Sequence, residues 1–219
     1  MEATWDGFTY LVEDHAFQLS INNGWSEPYP RELEIVKKYV KDYPDRNNIC
    51  IDIGGHIGTT SLPYSRLFKE VYAFEPNLVS YNLFQKNIKL NNNENIKVYN
   101  KGVYNKTTEC NIVKHGDNSG CYYIKECKEE GTISTVKLDD LDFDKPVDFI
   151  KIDTEGSELF VLEGGYNLLL ENKPLLNIET NGLSDKYFGY NKERILELLK
   201  SLDYIVLNDD GNNPLFYCK

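Results

Sequence analysis

The chain has 219 residues, 41% of them hydrophobic and 27% charged, which excludes a disordered or fibrous polymer and suits one globular domain. Its 35 acidic residues outnumber 24 basic ones, for a net charge of −11, and the lysines are scattered, so a nucleic-acid partner is disfavoured. No apolar stretch is long enough to span a bilayer, and Met1-Glu2-Ala3-Thr4-Trp5-Asp6 is neither basic nor apolar; neither membrane insertion nor a signal peptide is expected, and the expected location is the cytoplasm.

In chain order, residues 31–41 carry apolar side chains at helical spacing (Leu33, Val36, Val40), with Pro30 suited to the first turn. A strand at 49–53, a helix from 57 to 69, a strand at 71–75, a helix from 77 to 91 and a strand at 96–99 follow, the βαβαβ half of a doubly wound sheet. Residues 103–140 break this rhythm with short runs parted by Gly116, Gly120 and Gly131, read as inserted antiparallel strands. The alternation resumes with a strand at 147–152, a helix at 156–171, a strand at 175–179 and a helix at 191–201. A closing hairpin, 204–207 with 214–218, places one antiparallel strand in an otherwise parallel sheet.

The most informative stretch is Ile51-Asp52-Ile53-Gly54-Gly55-His56-Ile57-Gly58, a strand running into a glycine-rich turn. Gly54, Gly55 and Gly58 let backbone approach a ligand, and the following helix start offers N–H groups to a carboxylate. Asp52 is placed to accept from an ammonium group, directly or through water; a tight turn with no ligand is the plainer alternative. Glu75 follows Gly54 by 21 residues, the range at which an acid ending the second strand takes ribose hydroxyls. A dinucleotide would use such an acid too, but Gly54-Gly55-x-x-Gly58 lacks the G-x-G-x-x-G order and Asp52 would oppose a pyrophosphate. The two acids together point to S-adenosylmethionine.

A third cluster is Ile150-Lys151-Ile152-Asp153-Thr154-Glu155-Gly156-Ser157-Glu158, with Glu179 ending the next strand. Neighbouring strands lie about 4.8 Å apart, so Asp153 and Glu179 converge at the edge where open α/β sheets bind ligands. Helix capping is the plainer reading of Asp153, Thr154 and Glu155. Of three histidines, His56 sits in the glycine turn, His15 in the N-terminal segment, and His115 in the insertion, where an exposed loop residue is the simpler account. Tyr122, Tyr123, Tyr187 and Tyr190 lie in segments able to cover a site, though packing explains most of the 16 tyrosines. The five cysteines include no C-x-x-C pair, so reduced thiols are expected and a zinc site of Cys110, Cys121 and Cys127 is disfavoured.

Asp52-x-Gly54-x-x-x-Gly58, Ala73-Phe74-Glu75-Pro76 and, above all, Lys151-Ile152-Asp153-x-Glu155-Gly156-x-Glu158 with Val161-Leu162-x-Gly164 resemble the FkbM-like methyltransferases over residues 30–207. The resemblance implies a class I methyltransferase fold (Rossmann-like, α/β, doubly wound, seven-stranded) in one domain, with residues 1–45 a helical substrate-side segment and 46–219 the core. It also implies S-adenosylmethionine as cofactor and O-methylation of hydroxyls on sugars or natural products. Gly55-His56 stands where the family commonly shows Ala-Asn. Carried over, Asp52, Gly54 and Gly58 face the methionine end with Gly55 and His56 in the same turn, Glu75 and Pro76 flank the ribose, and Gly102 and Val103 lie by the adenine. Asp153, Glu155 and Glu179 line the acceptor side as catalytic candidates, Asp153 also touching the cofactor. The expected acceptor is a sugar hydroxyl of a glycan or glycoconjugate. A lipid or other small-molecule hydroxyl, or a module that binds without catalysis, are the alternatives. A sugar hydroxyl needs a carboxylate or histidine base or a divalent metal on Asp153 and Glu179; metal-independent catalysis is the expectation. Oligomeric state is open.

Overall fold

A computed structural model describes residues 1–23, 29–116, 119–126, 131–208 and 213–218; Cys127 and hairpin residues 209–212, both included in the sequence reading, lie outside these. The central sheet has seven strands. In spatial order they are β12 (Tyr204–Asn208), β13 (Leu215–Cys218), β11 (Leu175–Ile178), β10 (Val147–Ile152), β3 (Ile49–Ile53), β4 (Glu70–Phe74) and β5 (Ile96–Tyr99). Only β13 runs antiparallel to its neighbours, as the sequence predicts. Every residue of β3 and β10 is buried, the mark of central parallel strands covered on both faces.

Strand parity sorts these residues. Ile49, Ile51, Ile53, Ile150 and Ile152 join one core with helices α5 (Glu158–Gly164), α6 (Tyr166–Asn172) and α8 (Lys192–Ser201), while Cys50 and Phe149 join the other with α2 (Tyr29–Asp42), α3 (Ser61–Tyr64) and α4 (Leu78–Leu90). Asp52 and Lys151 share the parity of Cys50 and Phe149, and they sit side by side in register.

Several elements differ from the sequence reading. The helix expected over 57–69 contracts to α3, because Gly58 has φ +92° and Pro63 has no N–H to donate. The helix expected over 156–171 starts at Glu158 and divides at Gly164-Gly165; a β-carbon on Gly164 would stand 2.2 Å from the Tyr104 carbonyl oxygen. The first 45 residues, read as helical, begin with a hairpin of β1 (Glu2–Trp5) and β2 (Phe8–Leu11), followed by α1 (His15–Asn22). Asn87 and Asn91 of α4 bond the backbone of β2. A further helix, α7 (Leu183–Phe188), follows β11.

The insertion is a four-stranded sheet in the order β6 (Gly102–Val103), β9 (Ile133–Val136), β7 (Glu109–Lys114) and β8 (Tyr122–Glu126). β7 runs antiparallel to both neighbours, whereas β6 pairs parallel with β9. Among the described residues no helix is long and apolar enough to cross a membrane.

Candidate functional site

At the carboxyl ends of β3, β4, β10 and β11 lies a cavity of about 320 Å³. Its walls include Gly54, His56, Glu75, Pro76, Gly102, Val103, Asp153, Glu155 and Glu179, so nine of the sequence candidates meet there. Asp52, Gly55 and Gly58 stand behind the wall.

Asp52 is fully buried. It accepts from Thr60 Oγ1 at 2.7 Å and Ser61 Oγ at 2.5 Å, and its register partner on β10 is Lys151. Strand parity turns the Asp52 carboxylate toward α3, with Lys151 beside it on β10. Gly54 and Gly58 are needed for space. A β-carbon on Gly54 would stand 1.8 Å from Asp153 O, and one on Gly58 would stand 2.4 Å from the Phe84 ring.

Glu75 ends β4 and is 7% exposed. Its Oε2 accepts from the His56 backbone N–H at 2.9 Å and its Oε1 from that of Asn77 at 2.7 Å. Burial pushes its carboxyl up to about 7, against the pull of these two donors. Each oxygen keeps a lone pair for a further donor, which suits a ligand diol. His56, at φ +47°, packs edge-on to Phe17 of α1 at 4.8 Å, and its Nε2 lies 3.1 Å from Ser119 Oγ. Burial holds its pKa down to about 4, so the ring is neutral. The histidine thus joins the glycine turn to the N-terminal segment and to the insertion.

The opposite wall carries the acids. Asp153 N donates to Ile53 O at 2.9 Å and Glu179 N to Ile152 O at 2.8 Å, extending the ladder to the strand ends. Asp153 Oδ2 accepts from Lys151 Nζ at 2.7 Å, and this lysine is 2% exposed. Burial pulls the ammonium down, but the charges of Asp153 and Asp52 prevail and its pKa lies above the ordinary value. Glu155 stands at φ +56°, a strained conformation worth on the order of 1–3 kcal/mol. It is held there by Glu158, whose Oε1 accepts from Gly156 N at 2.9 Å, and by Tyr190, which donates to Gly156 O at 2.6 Å.

Asn181 Nδ2 bridges Glu155 Oε2 at 3.2 Å and Glu179 Oε2 at 2.9 Å. Burial, then the charge of Asp153, pushes the Glu155 carboxyl up to about 7. The same causes, in the same order, raise Glu179 well above the usual carboxylate range. One carboxylate oxygen from each of Asp153, Glu155 and Glu179 lies within 4.8 Å of the others, so the trio can share a proton or hold a hard cation.

Tyr122, placed by the sequence in a segment able to cover a site, lines the cavity, whereas Phe17 and Ser119 went unread and Lys151, quoted only within its motif, was given no role. A lysine inside the otherwise apolar run Phe149–Ile152 is a local signal, since an unpaired charge there is costly; Phe17 and Ser119 come from distant elements and carry none. Gly102 and Val103, read as loop, form the short strand β6 and line the cavity as expected. The cavity fits S-adenosylmethionine by its paired ribose-type acid, its glycine approach and its acidic far wall.

A family model described as the methyltransferase FkbM domain matches residues 52–206. A search of curated proteins by sequence gives no match. Among solved structures, an FkbM methyltransferase from Methylobacillus flagellatus KT superposes with TM-score 0.54 at 22% identity, over 78% of this chain and 44% of that one. The present chain therefore spans less than half the length of that relative. An rRNA methylase from Streptococcus thermophilus gives TM-score 0.50 at 14% identity, over 89% of this chain and 98% of that one. M. jannaschii TYW2 in complex with S-adenosylmethionine gives 0.52 at 13%, over 100% and 86%. The sheet order and these likenesses make the fold that of the class I S-adenosylmethionine-dependent methyltransferases.

Proposed function

Because the chain belongs to the FkbM methyltransferase domain family, we propose that it is an S-adenosylmethionine-dependent O-methyltransferase acting on a hydroxyl of a sugar or glycoconjugate. The observation that carries this reading is the division of one cavity between Glu75 at one wall and Asp153, Glu155 and Glu179 at the other.

S-adenosylmethionine bound there supplies an electrophilic methyl group. Glu75 would accept hydrogen bonds from the ribose hydroxyls, with both oxygens already aimed by the His56 and Asn77 amides. Pro76 would stand with Glu75 at the ribose, and Gly102 and Val103 would lie by the adenine. Asp153, anchored by Lys151, raises the proton affinity of Glu155 and Glu179. A carboxyl with pKa about 7 is matched to neutral pH, the condition for an effective general base there toward a hydroxyl. Glu155 or Glu179 takes the hydroxyl proton while Asn181 orients both. The wall from Ser119 to Tyr122 limits water and positions the acceptor, which supplies much of the rate.

Transfer of labelled methyl from S-adenosylmethionine into separated glycan, lipid and protein fractions tests the reading. Label in glycan is expected. Label confined to lipid or protein overturns the sugar acceptor, and failure to bind the cofactor at millimolar concentration overturns the enzyme.

A further inference from the structure

Beside the cavity, His115 and Cys121 come together next to Glu155. His115 N donates to Cys121 O at 3.0 Å. A β-carbon on Gly116 would stand 2.6 Å from Cys121 Sγ, so glycine there leaves room for the thiol. His115 Nε2 lies 3.3 Å from Glu155 Oε2, with the imidazole side chain 11% exposed. That nitrogen is buried and has no hydrogen-bond partner among the described residues. One ligand atom from each of His115, Cys121 and Glu155 lies within 4.8 Å of the others.

We propose that His115, Cys121 and Glu155 form a binding site for a divalent transition-metal ion of the zinc type. Two ligands at about 2.05 Å from a tetrahedral centre stand about 3.3 Å apart, the separation already present between the imidazole and the carboxylate. A thiolate, an imidazole and a carboxylate select zinc or cobalt, whereas the all-oxygen trio of Asp153, Glu155 and Glu179 favours magnesium or calcium. Three protein ligands leave a fourth position to water.

The strained Glu155 backbone, pinned through Gly156 by Glu158 and Tyr190, presents the carboxylate to His115. Ser119 and Gly120, between the two insertion ligands in sequence, line the cavity. The ion therefore fastens the insertion to the 153–157 loop, fixes that wall and, by holding Glu155, leaves Glu179 as the carboxylate that takes the hydroxyl proton. Its importance to turnover rests on the methyl-transfer reading; the site itself does not.

Metal-stripped protein titrated with Zn²⁺ in a calorimeter should bind one equivalent, and C121S and H115A should each weaken binding at least tenfold. Co²⁺ in its place should show a thiolate-to-cobalt charge-transfer band that C121S abolishes. Unchanged circular dichroism of C121S confirms its fold. Absence of stoichiometric Zn²⁺ binding overturns the proposal, as does binding that survives C121S and H115A but is lost in E179Q, which places the ion on the acidic trio. Methyl transfer is measured separately, with and without Zn²⁺: transfer without Zn²⁺ binding removes the metal site and leaves the enzyme, whereas Zn²⁺ binding with no transfer in either condition does the reverse.

Discussion

Gly54 ends β3 so close to β10 that a β-carbon on it would stand 1.8 Å from the carbonyl oxygen of Asp153. The glycine turn and the acidic strand end therefore form one packed unit, and Gly54 also has φ +85°. In G54A the methyl group must push the two strand ends apart in a conformation that already disfavours alanine. The expected loss is about 2–4 kcal/mol by urea denaturation, with S-adenosylmethionine binding abolished in calorimetry. Wild-type affinity in G54A would separate the turn from the cofactor.

Glu75 is a second point at which folding and binding meet. E75A leaves the His56 and Asn77 amides without their acceptor, which costs about 1–3 kcal/mol. Affinity for S-adenosylhomocysteine should fall at least tenfold. E75D separates the two effects: its shorter carboxylate should regain part of the stability and less of the affinity. Equal recovery of both would remove the ribose role.

The Lys151–Asp153 pair, with its lysine 2% exposed, predicts non-additivity. D153N leaves a buried ammonium short of a counter-charge and should destabilise by about 3 kcal/mol. K151M alone should cost a similar amount, because Asp52 and Asp153 then share a dry site. The double variant K151M/D153N should lose less than the sum of the two and stay inactive. Strict additivity in denaturation midpoints would show that the pair is not coupled.

Glu155 predicts a pH dependence of the metal-stripped protein. Its carboxyl is pushed from 4.5 up to about 7, so between those values the unfolded chain has released a proton that the folded protein still holds. The folded state then binds more protons, and stability falls as pH rises through this window. The contribution is complete below about pH 4.5 and gone above about pH 7, on the order of 3 kcal/mol at about 1.4 kcal/mol per pH unit. E155Q should flatten the curve of denaturation midpoint against pH. A curve as steep as wild type would assign the slope to the other raised carboxyls, Glu75 and Glu179.

Periodicity and strand-end position made much of this protein legible in sequence. The alternation of strands and helices, the antiparallel strand β13, the inserted sheet and the meeting of Glu75, Asp153 and Glu179 at one sheet edge follow from local pattern, since parallel strands must present their carboxyl ends together. Helix lengths were less legible. Gly58 and Gly164 shorten or divide helices for reasons set by packing against Phe84 and Tyr104.

The sequence by itself determined the βαβ order, the glycine turn and the acids that line the cavity, because each depends on residues close together in the chain. Only the tertiary structure decided that Asp52 turns inward to Thr60, Ser61 and Lys151, that His56 is gripped between Phe17 and Ser119, and that Glu155 reaches His115. Those contacts depend on which face of a strand a side chain takes and on which distant segment covers it. Register and packing of the whole chain set both, and no local pattern of residue types encodes them.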